Sequence, residues 1–233
     1  MAITVLANAG IWKLPAGRHA GIEAYPESTG HPGADGARRN GRRLSFFRDQ
    51  EIYGEGEDAT CIYRVEAGVV RTCKFLRDGR RQIDAFHSFG GVFGFQSGMK
   101  YRTGAAAACD CIVTTYRRLN LESLAASGDR LSLQLFALAM DDIAQAQEHA
   151  LSLGRRSAVE KVASFLLGHA AGAACGGFVK LAMTRQDIAD YLGLTIETVS
   201  RMFSQLERRS FIELKGVHLV RMCDTTALRV LCG

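Results

Sequence analysis

Apolar positions along the chain fall into three textures, each with its own period. From Ser45 to Tyr116 they come in short runs broken by glycine and aspartate, as in CIYRVEAGVVRTCKFLRDGRRQIDAFHSFGGVFGF and CDCIVTTYRRL. Such runs predict strands, and many of them at this spacing predict a barrel, roll or sandwich. Asp78-Gly79, between TCKFL and RQIDAF, signals a hairpin; Glu66-Ala67-Gly68 and Gly90-Gly91 mark further turns. From Leu131 to Leu153 the period lengthens to one helix. Leu135, Ala139, Ile143, Ala146, Ala150 and Leu153 recur every three or four residues, the seam of a two-stranded coiled coil whose small residues allow close approach. The same stripe also suits a helix packed on its own domain. Asn120 or Ser127 can cap this helix, and a further helix over 155–170 turns Val159, Val162, Ala163 and Leu166 inward.

The third texture is TRQDIADYLGLTIETVSRMFSQLERR, Thr184–Arg209. Thr184 can cap a first helix, with Asp187 three residues on completing an approximate capping box. Gly193 stands where that helix must stop, since a left-handed residue is cheapest as glycine. Thr195 can cap a second helix. On that helix Val199, Met202, Phe203 and Leu206 share one side, and Glu197, Ser200, Arg201 and Arg208 the other. This is a helix-turn-helix pattern, with the polar N-terminal half of the second helix free to enter a major groove. Arginine makes bidentate contacts to guanine and glutamate accepts from cytosine N4. Glu197 and Arg201 are one turn apart, so both can reach the same base edges. The alternative is an ordinary helical hairpin with a solvated polar face. Around the motif, FVKLAM predicts a short strand before it and FIELKGVHLVRM two strands about Lys215-Gly216, the wing of a winged helix. Asp224 can cap a last helix, TTALRVL.

At these residues the sequence resembles a known family. LTIETVSRMFSQLERRSFIEL is similar to the recognition-helix region of the FNR/FixK branch of the CRP–FNR transcription regulators, in which an E-x-x-S-R arrangement reads a palindrome with TTGA-like half-sites. Those positions are Glu197, Ser200 and Arg201 here. The resemblance implies an α+β architecture: an N-terminal β-roll of the cyclic-nucleotide-binding kind over 45–119, a dimerisation helix over 120–154 and a C-terminal winged helix-turn-helix over 155–233. It further implies a homodimer on double-stranded DNA with a palindromic operator, and activation through RNA polymerase. Candidate phosphate or flanking contacts are Thr184, Arg185, Thr195, Thr198, Arg208 and Lys215, with Arg209 a further candidate.

Composition sharpens this picture modestly. The 233 residues allow two modest domains or one large one; the formal charge is +5 and the pI about 8.9, which suits a polyanionic partner. Residues 1–44 are rich in Gly, Pro and Ala, lack periodicity and end in ARRNGRR, so they are expected as a loose arm. Arg38, Arg39, Arg42 and Arg43 there are candidates for DNA or polymerase contact, or simply solvated. No signal peptide is evident and no run nears the roughly 20 apolar residues of a membrane helix, so a cytoplasmic protein with reduced thiols is expected.

The cofactor signatures of the family are missing. In GGVFGFQSGMKYRTGAAAACD, Arg102 and Thr103 look like a remnant of the phosphate cassette for cyclic AMP, but Gly91 stands where the resemblance calls for glutamate. The iron–sulfur members use N-terminal cysteines, and none precedes Cys61 here. No cofactor and no metal are therefore expected, as in the FixK type. Cys109 and Cys111, read on one strand, would share a face without further zinc ligands; with Cys61 and Cys73 they read as small buried hydrophobes. Cys175 and Cys232 are the candidates for a thiol switch, the basis of an alternative reading as an effector- or redox-gated sensor. His19, His31, His87, His149, His169 and His218 form no constellation. Catalytic motifs such as G-x-S-x-G, H-E-x-x-H or a P-loop are absent, which argues against an enzyme.

Overall fold

The computed structural model describes residues 41–95, 98–118, 130–170 and 177–232, without side chains at 130–139, 141, 142 and 170. Eight strands build the first unit: β1 (Arg42–Phe46), β2 (Glu51–Tyr53), β3 (Cys61–Ala67), β4 (Val70–Phe75), β5 (Arg81–His87), β6 (Val92–Phe93), β7 (Gly104–Ala107) and β8 (Cys111–Arg117). They form two antiparallel four-stranded sheets, ordered β1-β8-β3-β6 and β2-β7-β4-β5. The Asp78-Gly79 hairpin is present: the Gly79 amide donates to the Leu76 carbonyl, and β4 pairs with β5 from Val70 opposite His87 to Phe75 opposite Arg81. Alternating positions such as Val65, Val70 and Val113 lose all solvent contact between the sheets, each contributing roughly 1.5–3 kcal/mol of burial.

Two boundaries differ from the sequence expectation. The first strand takes in Arg42, Arg43 and Leu44 from the expected N-terminal arm, because Arg42 to Phe46 pair with Thr115 to Cys111; the two arginines are exposed strand residues. Cys109 lies in a bend before β8, which begins at Cys111. The two thiols therefore do not share a strand face: Cys111 is buried and Cys109 half-buried.

A long helix, α1 (Arg130–Arg155), follows, and α2 (Ala158–Ala170) turns off it after Arg156 and Ser157. Val162, Ala163 and Leu166 of α2 are fully buried and Val159 partly so, the face expected from periodicity. The proposed caps Asn120 and Ser127 lie outside the described residues, as does Cys175. Then come β9 (Val179–Lys180), α3 (Arg185–Leu192), α4 (Ile196–Arg208), β10 (Ile212–Lys215), β11 (Leu219–Met222) and α5 (Thr225–Cys232). The strands make a small antiparallel sheet ordered β10-β11-β9. One apolar core joins α2, α3, α4, α5 and the wing through Leu166, Ile188, Leu192, Val199, Phe203 and Leu228, all almost wholly buried. Among the described residues no helix is long and apolar enough to cross a membrane.

Candidate nucleic-acid interface

The first helix of the motif is fixed at both ends by its own sequence. At its start the Thr184 hydroxyl accepts from the Asp187 amide at 3.0 Å, and the Asp187 carboxylate accepts from the Thr184 amide at 3.0 Å, a closed capping box. At its end Gly193 adopts φ 62°, ψ 41°, and its amide donates to the Ala189 carbonyl, the left-handed cap that glycine makes cheaply. Thr195 then caps α4 by accepting from the Thr198 amide at 3.2 Å. Sharp ends on two short helices fix the angle between them, and that angle decides which face of α4 points outward.

That outward face carries Glu197, Ser200 and Arg201, all exposed, while Val199, Met202, Phe203 and Leu206 on the opposite face are buried. The three polar residues sit in the first half of the helix, the part that reaches base edges when a recognition helix enters a major groove. Arg208 lies exposed in the last turn and Arg209 just beyond it; Lys215 is exposed at the wing tip. These cations flank the polar face, as phosphate contacts must.

The other flanking candidates are partly committed elsewhere. The Thr184 hydroxyl donates to Asp187 Oδ2 at 2.8 Å, so its hydrogen is used inside the capping box. Thr195 donates to the Thr198 hydroxyl at 3.1 Å, which leaves Thr198 its own hydrogen to offer outward. Arg185 lays its guanidinium 3.4 Å from the centre of the Phe203 ring, and burial pushes its pKa down to about 10. It remains charged at neutral pH, yet it braces α3 against the recognition helix by cation–π contact. Sequence reasoning missed Glu207, whose carboxylate accepts from the Leu214 amide at 3.1 Å and ties the wing to α4. The signal was available only as a polar residue on a helix end, with no mark of its partner seven residues on.

On α1, Ile143, Ala146 and Ala150 are exposed, whereas Leu153 is half-buried with its Cδ2 3.3 Å from where a Cβ on Gly193 would stand. Leu153 thus packs toward the chain's own helix-turn-helix. The side chains of Leu135 and Ala139 lie outside the described residues. Cys232 is half-buried against α2, its sulfur 3.9 Å from the Glu160 carbonyl, and burial pushes its thiol up. A raised thiol holds less thiolate, the form that oxidants attack.

Comparison with known proteins agrees with this arrangement. Residues 160–231 match the family model for a Crp-like helix-turn-helix domain, and residues 43–127 that for a cyclic nucleotide-binding domain. The nitrogen fixation regulation protein FixK of Azorhizobium caulinodans is 45% identical over 79% of this chain and 76% of its own. Its namesake in Rhizobium meliloti is 38% identical over 92% of this chain and 100% of its own. The chain belongs to the FixK type of CRP/FNR transcription regulators. The solved structure of FixK2 from Bradyrhizobium japonicum superposes with a TM-score of 0.78 at 42% identity, covering 83% of this chain and 98% of that one. Membership makes it a DNA-binding transcription regulator and not an enzyme.

The roll of this family raises the question of a cyclic nucleotide, and the residues present do not fit one. A Cβ at Gly91 would stand 2.9 Å from the Ser88 carbonyl oxygen, so the glutamate that grips the ribose has no room there. Within the would-be cassette, Phe93 and Tyr101 turn into a buried aromatic stack. Tyr53 and Tyr101 lie 3.7 Å apart, Tyr63 and Phe93 5.2 Å apart, and Tyr53 bridges the two pairs. The roll thus fills its middle with its own rings. Arg102 and Thr103 remain at the surface end of β7, exposed and half-buried respectively. For a metal or cluster, no group of three or more His, Cys, Asp or Glu side chains converges among the described residues.

Proposed function

We propose that the protein acts as a homodimer that reads a palindromic operator with TTGA-like half-sites, using Glu197, Ser200 and Arg201 of each subunit, and that it activates transcription by engaging RNA polymerase. Its targets are genes of nitrogen fixation, in line with the names of its FixK relatives, or of low-oxygen respiration or denitrification. The observation that carries this reading is the exposed E-x-x-S-R face of α4 over a fully buried opposite face. Dimerisation through α1 is supported by its exposed apolar residues: Met140 is 49% exposed, Ile143 50% and Leu151 61%. A stripe of that kind on one long helix gains most by packing against its symmetry mate. Two recognition helices would then enter major grooves about one helical turn, roughly 34 Å, apart. The self-filled roll supports activity without cyclic nucleotide, and the thiols of the described residues, which join no group of three or more metal-ligating side chains, support activity without an iron–sulfur cluster.

The test is fluorescence anisotropy with a TTGA-N6-TCAA duplex against a scrambled duplex, aerobically, without effector and at fixed moderate salt, because salt alone shifts such affinities. Specific binding is expected under these conditions. Binding that appears only with reductant would transfer the assignment to a thiol-gated regulator, and equal affinity for both duplexes would remove the operator assignment.

A further inference from the structure

The roll and the DNA-binding unit are joined by a network of charges at a place where charges are costly. On β4 and β5, neighbouring strands of one sheet, Arg71 and Arg81 point toward the N-terminal turns of α3. Arg81 donates to Asp187 Oδ1 at 2.6 Å through one guanidinium nitrogen and to Asp190 Oδ2 at 2.7 Å through another. Arg71 lies 3.4 Å from the same Asp187 oxygen and 2.7 Å from Asp49, which sits in the β1–β2 turn. The Asp187 side chain is 2% exposed and that of Arg71 7%. The carboxylates hold Arg81 above even the usual guanidinium range despite burial. A charge so enclosed is tolerated only with its partners in place, and removing one strands the others.

The same helix is held at its far end. Gln82, next to Arg81, donates to the Tyr191 carbonyl at 3.3 Å, and Lys161 of α2, itself buried, donates to the Leu192 carbonyl at 3.2 Å. At the same end the Phe86 ring of β5 meets Tyr191 at 5.3 Å and Phe165 of α2 at 6.3 Å. Thus α3 is gripped at its first turn by Arg81 and at its last by Gln82, consecutive residues of the roll. Asp187 is at once the capping residue of α3 and the anchor of both arginines. The orientation of the helix that supports α4 is therefore coupled to the sheet of the roll through the carboxylates of Asp187 and Asp190.

We propose that Arg71 and Arg81 are positioning residues for DNA readout: they clamp α3 through Asp187 and Asp190 and so set the recognition helix against the roll with no ligand needed. This rests on the operator reading above and adds the means by which an effector-free member stays competent. In a chain whose roll is filled by its own aromatic side chains, the fixed clamp does what ligand binding would otherwise do, namely select one domain orientation. Loss of the clamp lets the two orientations of a dimer's recognition helices vary independently. A palindrome demands that both be right together, whereas non-specific binding demands only cations near phosphates.

The experiment compares full-length wild type with Arg81→Gln, Asp190→Asn and the conservative Arg81→Lys. Amide hydrogen exchange is measured on the free proteins, and anisotropy with operator and scrambled duplexes at one salt concentration. Arg81→Gln is expected to speed exchange across 185–192 and weaken operator binding by about tenfold or more, the usual range for coupling between sites, with scrambled-duplex binding changed less than twofold. Asp190→Asn is expected to give a smaller loss of the same kind, and Arg81→Lys to restore most of the preference. Unchanged exchange at 185–192 in Arg81→Gln overturns the clamp whatever the DNA does. Faster exchange with operator binding within twofold of wild type overturns the positioning role, as does an equal loss on both duplexes. A wild type that fails to prefer the operator counts against the operator reading, and the clamp is then decided by the exchange arm.

Discussion

The helix-turn-helix and the β-roll dispose of their polar groups in opposite ways. In α4 the groups able to read DNA, Glu197, Ser200 and Arg201, stand in solvent above a fully apolar floor of Val199, Phe203 and Leu206. In the roll the polar groups are turned inward: the Tyr101 hydroxyl donates to the Cys61 carbonyl at 2.7 Å, and the Thr72 hydroxyl lies 3.2 Å from His87 Nε2. One unit keeps its chemistry available, the other consumes it internally. On the proposed reading, a domain that in shape belongs to the cyclic-nucleotide-binding kind serves as a mount, and recognition is left to the exposed face of α4. Substitutions in the two units should accordingly separate stability from specificity.

The largest effect is expected beneath the reading face. Phe203→Ala removes a ring that is 1% exposed and also the seat of Arg185, so it should cost about 3–5 kcal/mol of stability. A denaturant titration showing a shift of the midpoint for the C-terminal transition checks it. Retention of wild-type stability would mean that the floor of α4 is not held by packing. Next is the pH response of the roll and its junction. Burial lowers His87 to about 4, and His149 and His169 are lowered by the same cause. A histidine kept neutral in the fold takes up a proton on unfolding, so stability is full above pH 6.5 and falls as pH drops through 6.5 toward 4. His87 contributes roughly 2–3 kcal/mol to that fall, at 1.36 kcal/mol per pH unit of displacement. Thermal melts between pH 7 and pH 4.5 should show it, and His87→Gln should flatten the slope. Arg201→Ala belongs to the other unit and should behave oppositely: no change in the melt, but a loss of about 1–3 kcal/mol of discrimination at the guanine it reads. Binding of operator and scrambled duplexes in the wild-type ratio would remove Arg201 from the base-reading set.

How much of this the sequence disclosed follows the same division. The helix-turn-helix was legible because its determinants are local: Thr184 and Asp187 are three residues apart, Thr195 and Thr198 likewise, and Gly193 marks its own bend. Hydrophobic periodicity over thirteen residues then sorts α4 into two faces. The hairpin at Asp78-Gly79 was legible for the same reason. What escaped was non-local. Arg81 meets Asp187 across 106 residues, and neither residue type announces a buried pair. The aromatic stack draws on Tyr53, Tyr63, Phe93 and Tyr101 from four separate segments, each ordinary within its own strand or turn. Arg185 looked like a phosphate contact because it opens a DNA-binding helix; only the approach of Phe203 from the next helix shows what else it does.

The smallest predicted effect bears most directly on whether the roll is a mount or a sensor. The Tyr53 ring is 3% exposed and its hydroxyl has no hydrogen-bond partner among the described residues, while burial holds its phenol well above the usual range. A buried hydroxyl with no partner carries a desolvation cost and no compensating bond. Tyr53→Phe keeps the stack with Tyr63, Phe93 and Tyr101 and deletes only that oxygen. If the roll is filled and inert, the variant should melt somewhat above the wild-type temperature, a gain of about 1 kcal/mol at the low end of that desolvation cost, and bind operator unchanged. A drop in operator affinity with stability preserved would mean that the oxygen serves something bound inside the roll. The two units would then exchange roles, since the one that looks closed would be the one that listens.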